Sequence, residues 1–482
     1  MSQPKRPGPD VFVFNPFTEG YIAEGRGFSP VKHQAMLASD LSNLPQFLCC
    51  ADDVVLLDER PSVQFLRGLK QAGFSLPEFV ELKAGRVDPA SSLRQRKIDR
   101  LRPWAWGPDS VELLEPLRVR VSGESRSSAQ CFNEGVARLY SKAWSAAFLR
   151  TVLARYGKHT EAPLQDDGTQ SLRAPAVSEG WLCTEQETGV AVHTLEAALD
   201  AISEIRGRHH HRVVAKQAHG LAGQSAIRLW EPELVPAQRQ WLARALQNGR
   251  QVVIEPWLER ELDFSIQFEM GPSRLKLVGY TGLLNDRKGQ FLGNWAAADY
   301  HRQPPAEATG LLNGPVDISG HLQRFYAAVM LLLETELQRT GFVGPVGIDA
   351  MVYRSADGRC RLKPVVEINP RYTMGRLTLE LMSRTCRGGC GLFRLVSLAQ
   401  ARKEGFDDFV SYSRSLSERL PLRLDGEASP KIREGFLCLN DPARAQVCLA
   451  TFQVSRELHQ VLDRSVGADL AWLSATGLNR RS

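Results

Sequence analysis

The chain has 482 residues, of which 43% are hydrophobic and 24% are charged, a composition typical of globular proteins. This length exceeds one ordinary hydrophobic core, so about two to four domains are expected. The formal charge of +6 is small for this length, and arginines are interspersed with acidic residues, which argues against a nucleic-acid-binding surface.

Targeting and redox signals are weak in this sequence. The N-terminal segment is polar and lacks the hydrophobic core of a signal peptide. The most apolar helical run, residues 325–333, is too short to cross a bilayer. The nine cysteines are odd in number and scattered, unlike a disulfide framework. We therefore expect a cytoplasmic protein with reduced thiols and no membrane partner.

Strand-like and helix-like segments alternate in the first part of the chain, which indicates a small parallel α/β unit. The expected strands are residues 10–15, 53–57 and 78–82, the expected helices are residues 40–48 and 63–72, and a loop is expected through residue 27. No G-x-G-x-x-G motif follows the first strand, so no dinucleotide site is predicted. The segment around Trp104 and Trp106 is left unassigned, because its tryptophans suit either substrate stacking or ordinary packing.

Later segments include both the apolar periodicity of helices and that of strands. The expected helices are residues 137–156, 235–246, 322–339 and 378–397, with a strand and a helix within residues 190–205; the expected strands are residues 213–216, 252–258, 263–268 and 275–281, with a strand or turn at 289–294. Strand-like pieces within residues 431–454 suggest a small appended module.

The most informative stretch is a pair of apolar runs around an Asp-Gly pair at residues 357–358, which favours a tight turn. The first run carries Asp349, and the second carries Lys363 and Glu367. The runs predict an antiparallel hairpin with Asp349 roughly opposite Glu367. Asn369 lies two residues after Glu367 and projects from the same face. Because buried acids are rarely unpaired, we predict a Mg²⁺ site at these two acids and Asn369 rather than solvated surface acids.

Upstream segments carry residues suited to phosphate binding. Lys216 ends a strand that precedes a loop containing Gly220 and Gly223. A lysine places a point charge on phosphates, and glycines let backbone N–H groups approach them. Further on, an apolar strand ends at Glu255.

These landmarks, in this order and spacing, resemble the ATP-grasp family of ligases, and the segment Glu367-Ile368-Asn369-Pro370-Arg371 resembles its metal-binding end. The resemblance covers about residues 130–400. It implies an α/β (α+β) fold, in which two α+β lobes clasp ATP behind a small parallel α/β pre-ATP-grasp domain. The expected domains are residues 1–130 for the N-terminal domain, 131–210 for the start of the small lobe, 211–400 for the nucleotide- and metal-binding lobes and 401–482 for a C-terminal appended segment.

The resemblance also implies roles for single residues. The phosphates would be contacted by Lys142, Lys216, Gly220 and Gly223, and adenine would be held by Glu255, Trp257 and Leu258. Asp263 would reach the ribose, although Glu261 competes for that role. Lys216 and Arg371 would act in catalysis. Lys216, together with Lys142, would offset negative charge as the γ-phosphoryl group moves, and Arg371 would hold the transferring phosphoryl group or the substrate acid. The alternative for Arg371 is an ion pair that neutralises Glu367.

The implied activity is ATP-dependent carboxylate–amine ligation through an acyl phosphate, with release of ADP and phosphate and with Mg²⁺, or alternatively Mn²⁺, as the metal. The expected partners are a small-molecule carboxylate, such as an amino acid or peptide, and an amine, with no nucleic acid or membrane; a homodimer is left open. The alternatives are another ATP-grasp activity, such as a phosphotransferase, or a non-catalytic ATP-binding scaffold.

Overall fold

The structure is a computed structural model that describes residues 7–122, 127–156, 180–220, 225–230, 233–286, 289–313, 319–426, 430–458, 460 and 462. The strands are β1 (Asp10–Val13), β2 (Val54–Leu57), β3 (Glu78–Glu81), β4 (Arg100–Pro103), β5 (Val190–Val192), β6 (Arg212–Gln217), β7 (Ala226–Trp230), β8 (Val252–Pro256), β9 (Glu259–Met270), β10 (Leu275–Asn285), β11 (Phe291–Ala297), β12 (Gly344–Arg354), β13 (Cys360–Asn369), β14 (Cys390–Ser397), β15 (Arg423–Asp425), β16 (Lys431–Cys438) and β17 (Cys448–Ser455).

The α-helices are α1 (Thr18–Glu24), α2 (Lys32–Asp40), α3 (Val63–Gln71), α4 (Pro108–Arg118), α5 (Ser128–Cys131), α6 (Glu134–Leu139), α7 (Lys142–Tyr156), α8 (Leu195–Gly207), α9 (Pro236–Ala245), α10 (Ala306–Asn313), α11 (Ser319–Thr340), α12 (Met374–Met382), α13 (Leu398–Lys403) and α14 (Phe409–Arg419). Short 3₁₀ helices cover Gly25–Gly27, Leu44–Leu48, Ser92–Gln95, Glu185–Glu187 and Gln247–Gly249. None of the described helices combines the length and apolar composition that a bilayer crossing requires.

Packing divides the chain into two compact units. The first unit comprises Met1–Asn133, Leu283–His301 and Arg371–Ser482. The second unit comprises Glu134–Gly282 and Arg302–Pro370.

A parallel sheet of order β3-β2-β1-β4 forms one part of the first unit. All residues of β1 and β2 are buried, and all of them except Asp10 are apolar. The following helix, α3, begins where the Ser62 hydroxyl accepts a hydrogen bond of 3.3 Å from the Phe65 N–H. The predicted small parallel α/β unit is therefore confirmed.

Two details predicted for this region were wrong, and the structure assigns one segment that the sequence left open. The predicted loop through residue 27 contains α1. The helix expected at residues 40–48 is present only as the 3₁₀ helix Leu44–Leu48. The α-helix of this region, α2, lies earlier, ends at Asp40 and has no buried residue to give it a periodic apolar face. The unassigned tryptophan segment contains β4, whose charged residues hid a partly buried strand, and α4.

The other part of the first unit contains antiparallel sheet strands in the order β11-β14-β17-β16-β15. The helix predicted at residues 378–397 was wrong beyond Met382, because α12 ends at that residue and β14 follows. Between them Gly388 has a φ of +76°, a conformation that favours a turn. Strand β17 pairs with β14 and β16 pairs with β17, so the segment predicted as an appended module continues this sheet.

The second unit contains two antiparallel sheets. The first has the order β5-β8-β6-β7 and packs apolar side chains against α8 and α9. In the other sheet β9 lies between β10 and β12, and β12 also pairs with β13. Helix α11 covers one face of that sheet, where the Tyr326 ring lies 6.1 Å from Phe264 and 6.4 Å from Tyr280. Because side chains alternate along a strand, the neighbours of Phe264 on β9 project from the opposite face.

Candidate functional site

The hairpin of β12 and β13 has the predicted turn and an unpredicted bulge. At the turn Gly358 has a φ of +79°, and its N–H donates to the Ser355 carbonyl at 2.9 Å. The register runs from Arg354 opposite Cys360 to Met351 opposite Lys363, and resumes with Asp349 opposite Glu367. Between these pairs one residue of β12 therefore faces three residues of β13, and these three include Pro364, which has no N–H to donate to the ladder.

The three predicted metal ligands share one face of this hairpin. Asp349 and Glu367 are register partners, and the Asn369 side-chain amide donates to an Asp349 carboxylate oxygen at 3.0 Å. The Lys142 ammonium lies 2.8 Å from the Glu367 carboxylate. The backbone N–H of Ile368 donates to the Ser145 hydroxyl at 3.0 Å, which holds this end of β13 against α7.

This face continues across β9. Ser265 is the register partner of Asp349 on β9, and Asp263 is the partner of Met351. The Ser265 hydroxyl donates to the Ile348 carbonyl at 3.2 Å. A row of polar side chains therefore lies on the sheet face opposite to α11, which is where the predicted ligands also lie.

A pocket in the second unit brings the predicted lysines, Glu255 and Glu367 together. Its charged lining residues are Lys142, Lys216, Glu255, Lys363 and Glu367, and its apolar lining includes Leu149, Val253, Val365 and Val366. Both valines of the bulge line the pocket, because the bulge interrupts the alternation of faces. Gly189 also lines it, and a Cβ at this position would lie 2.5 Å from a methyl carbon of Val253. Only glycine lets the chain approach β8 this closely.

Glu255 is the most buried acid of this pocket and has two lysine partners. One carboxylate oxygen forms an ion pair with Lys216, and the other lies 2.8 Å from the Lys363 ammonium. The side chains of Glu255 and Lys363 are 10% and 2% exposed. Burial alone would raise the pKa of Glu255, but the charges and hydrogen bonds of the two lysines outweigh it and lower that pKa. Glu255 is therefore an anion at neutral pH.

Lys363 is a site residue that the sequence reasoning did not predict. It lies four residues before Glu367 on the same strand, and both side chains line the pocket. The signal available in the sequence was a lysine within an apolar, β-branched strand, because a buried lysine must have a partner.

The predicted adenine and ribose residues lie on β8 and β9 or between them. The Trp257 N–H donates to the Arg212 carbonyl at 2.8 Å, and Leu258 is buried. Asp263 forms an ion pair of 3.3 Å with Arg260, on the sheet face of Asp349. Glu261 falls at a register irregularity and lies 2.7 Å from the Arg354 guanidinium. The choice between Asp263 and Glu261 for the ribose stays a prediction.

The remaining predicted residues have separate surroundings. The carbonyl of Gly220 accepts a hydrogen bond of 3.2 Å from the Lys142 ammonium, which ties the start of the loop to α7. Gly223 lies outside the described residues. Arg371 belongs to the first unit, where its Nε lies 3.0 Å from the carboxylate of Glu19, a buried residue that the sequence did not single out.

The donor set on the hairpin fits a hard divalent cation. Asp349, Glu367 and Asn369 offer two carboxylates and one carboxamide, and Mg²⁺ prefers oxygen ligands while keeping several positions for water and phosphate. Within the described ranges, no group of three or more His, Cys, Asp and Glu side chains is placed to hold a metal ion. A site here would therefore rely on the asparagine as its third protein ligand.

No protein-family model matches the sequence, and no curated protein matches it. Among solved structures, the chain is similar to N5-carboxyaminoimidazole synthetase from Staphylococcus aureus in complex with ADP, with 10% identity, coverage of 98% of each chain and a TM-score of 0.47. It is also similar to biotin carboxylase from Campylobacter jejuni, with 12% identity, coverage of 85% of this chain and 89% of that chain, and a TM-score of 0.43. Because these identities and TM-scores are low, the function is inferred from the residues of the site.

Proposed function

We propose that this chain is an ATP-dependent carboxylate–amine ligase of the ATP-grasp type. The observation that carries the proposal is the pocket of the second unit, where Lys142 and Lys216 line the same cavity as Glu255 and the hairpin residue Glu367. Cations suited to phosphates, a buried anion at a strand end and an oxygen-ligand set beside them are the parts that a nucleotide-dependent phosphoryl transfer needs.

In this proposal the pocket binds ATP with its base toward β8. Glu255 accepts a hydrogen bond from the adenine amino group, with Trp257 and Leu258 beside the base and Asp263 or Glu261 at the ribose. The ammonium groups of Lys142 and Lys216 offset the charge of the phosphates, and the loop containing Gly220 and Gly223 covers them.

Asp349, Glu367 and Asn369 would hold Mg²⁺, or Mn²⁺ in its place. When bound, the ion would neutralise charge on the β- and γ-phosphates. The chain's own contribution is the rigidity of the set: the hydrogen bond from Asn369 to Asp349 and the contact of Lys142 with Glu367 keep these side chains oriented toward one point.

The proposed reaction has two steps. A substrate carboxylate oxygen attacks the γ-phosphorus as the bond to the β,γ-bridging oxygen breaks, giving an acyl phosphate and ADP. The amine nitrogen then attacks the carbonyl carbon, phosphate leaves, and the nitrogen loses a proton to give the amide. Lys216 and Arg371 supply positive charge to the transferring group. No protein side chain forms a covalent intermediate.

The finer parts of the proposal concern substrates and location. The carboxylate is an amino acid or peptide, the protein acts in the cytoplasm without nucleic acid or membrane, and a homodimer is left open. The division into domains at about residues 130, 210 and 400 is proposed with it.

The test is analysis of the nucleotide products. Purified protein is incubated with Mg-ATP and pools of amino acids, dipeptides and amines, beside Glu367→Gln and the control Glu204→Gln. Glu204 is an exposed residue of α8 in the same unit, so its replacement makes the same change of charge away from the pocket. We expect ADP and phosphate to form only with substrate, in the wild type and the control but not in Glu367→Gln.

Other products would change the conclusion. AMP and pyrophosphate would contradict acyl-phosphate formation. A phosphorylated product without an amide would favour a phosphotransferase, and ATP binding without turnover in any pool would favour a scaffold.

A further inference from the structure

We propose that Lys363 is a positioning residue that keeps a counter-ion on Glu255 when Lys216 leaves that carboxylate for the phosphates of a bound nucleotide. The inference rests on the proposed function, because it assigns Lys216 two successive partners. It adds a role for a residue that neither the sequence reasoning nor the proposed chemistry uses.

The two lysines contact different oxygens of the Glu255 carboxylate. Lys216 pairs with one oxygen of Glu255, and the Lys363 ammonium lies 2.8 Å from the other. The Lys363 side chain is 2% exposed, whereas that of Lys216 is 20% exposed. Lys363 is therefore enclosed on its strand, while Lys216 stands near the end of β6, one residue before the segment that leads to the loop. Of the two, Lys216 is the lysine that can exchange partners.

The burial of Glu255 explains why its carboxylate needs a second cation. A carboxylate that is removed from water and has no cation beside it carries a large free-energy penalty. If Lys216 were the sole partner of Glu255, its movement to the phosphates would leave this buried anion uncompensated. With Lys363 in place, Glu255 keeps one ion pair throughout, and Lys216 can leave at a smaller cost.

The other charged groups near the cluster do not duplicate this role. Lys142 also lines the pocket, but its ammonium lies against Glu367 and the Gly220 carbonyl. Next to Lys363 lies Cys183, and burial raises the pKa of its thiol to about 12. The thiol is therefore neutral at physiological pH and leaves Glu255 as the anion facing Lys363.

The experiment measures ATP affinity calorimetrically over a range of pH in the wild type, Lys363→Met, Glu255→Gln and the double variant. Methionine keeps the length and apolar stem of lysine without its charge. Lys276→Met is the control, because Lys276 is an exposed residue of β10 in the same unit. We expect Lys363→Met to weaken ATP binding by about 10- to 100-fold at neutral pH, the penalty for a buried charge left without its partner.

Two further readouts separate this role from a merely structural one. In Lys363→Met the loss of affinity shrinks as the pH falls, because protonation of Glu255 replaces the missing cation, and binding takes up more protons than in the wild type. In the Glu255→Gln background, Lys363→Met changes the affinity by less than about threefold, since no anion is left to compensate. Lys276→Met binds as the wild type does.

Three results would overturn the inference. One is equal ATP affinity in Lys363→Met and the wild type at every pH. Another is a loss of affinity that is independent of pH and persists in the Glu255→Gln background, because Lys363 would then act without Glu255. The third, a wild-type protein that binds no ATP, would refute the proposed function as well, so the two failures are told apart by the wild-type titration.

Discussion

Replacing Glu255 by glutamine is expected to destabilise the second unit strongly, because the change leaves a buried cation without its anion. The side chain of Lys363 is 2% exposed, so water cannot take the place of the lost carboxylate. Removing one partner of a buried ion pair typically costs about 3–5 kcal/mol. Lys216 is 20% exposed and can turn to water, and the glutamine oxygen still accepts a hydrogen bond. We therefore expect a loss of about 3 kcal/mol, the lower end of that range.

The assay is urea-induced unfolding of Glu255→Gln, the Glu204→Gln control and the Glu255→Gln/Lys363→Met double variant. The double variant should recover most of the loss, since replacing a buried ion pair by apolar and neutral groups of similar size is often nearly neutral. A loss below about 1 kcal/mol in Glu255→Gln would refute the reasoning. So would a double variant that is as unstable as the single one.

The stabilisation that Glu255 provides depends on pH, and the direction of this dependence is defined. Burial would raise the pKa of Glu255, but the lysines lower it below its value of about 4.3 in the unfolded chain. The stabilisation is therefore fully present above about pH 4.3 and is lost as the pH falls through the lower, folded-state pKa. The difference in free energy of unfolding between wild type and Glu255→Gln should be constant near neutrality and shrink in strong acid.

Three further predictions concern other residues. Lys216→Ala should raise the dissociation constant for ATP by at least about tenfold, because a phosphate contact is lost; unchanged affinity in a calorimetric titration would remove Lys216 from the phosphate site. Arg371→Lys should lower kcat by about 10- to 100-fold with little change in KM for ATP, because lysine keeps the charge but not the planar fork; an unchanged kcat in steady-state assays would limit Arg371 to its pair with Glu19. Burial and the hydrogen bond of 2.7 Å to Glu187 raise the pKa of Tyr353, so Tyr353→Phe should leave the tyrosinate absorbance change up to about pH 11 unaltered, and a smaller change would contradict this.

The hairpin was predictable from the sequence in part. The Asp-Gly turn and the two apolar runs were enough to predict both strands and to place Asp349 near Glu367. Pairing residues two by two from Met351 and Lys363 would have put Asp349 opposite Val365. The bulge adds the two residues that make Asp349 and Glu367 direct partners. In the sequence, the proline within this strand is the feature that indicates the bulge.

Other features could not be predicted because local pattern does not report pairing. The apolar strand around Lys363 indicates that this lysine is buried, but only the approach of β8 to β13 reveals its partner Glu255. Strand β14 was taken for a helix because its apolar residues fit either periodicity, and its identity as a strand comes from pairing with β11 and β17. Helix α2 has no buried face, so it left no periodic signal.

The bulge at Pro364 also protects the site against misregistration. A slip of one residue along β13 would turn Glu367 and Asn369 toward α11 and bury both beneath an apolar helix. The Tyr326 hydroxyl of α11 donates to the Pro364 carbonyl at 3.2 Å and pins the bulge from that side. The alignment of Asp349 and Glu367 is thus fixed from the reverse side of the sheet, by a helix whose described side chains are absent from the pocket lining.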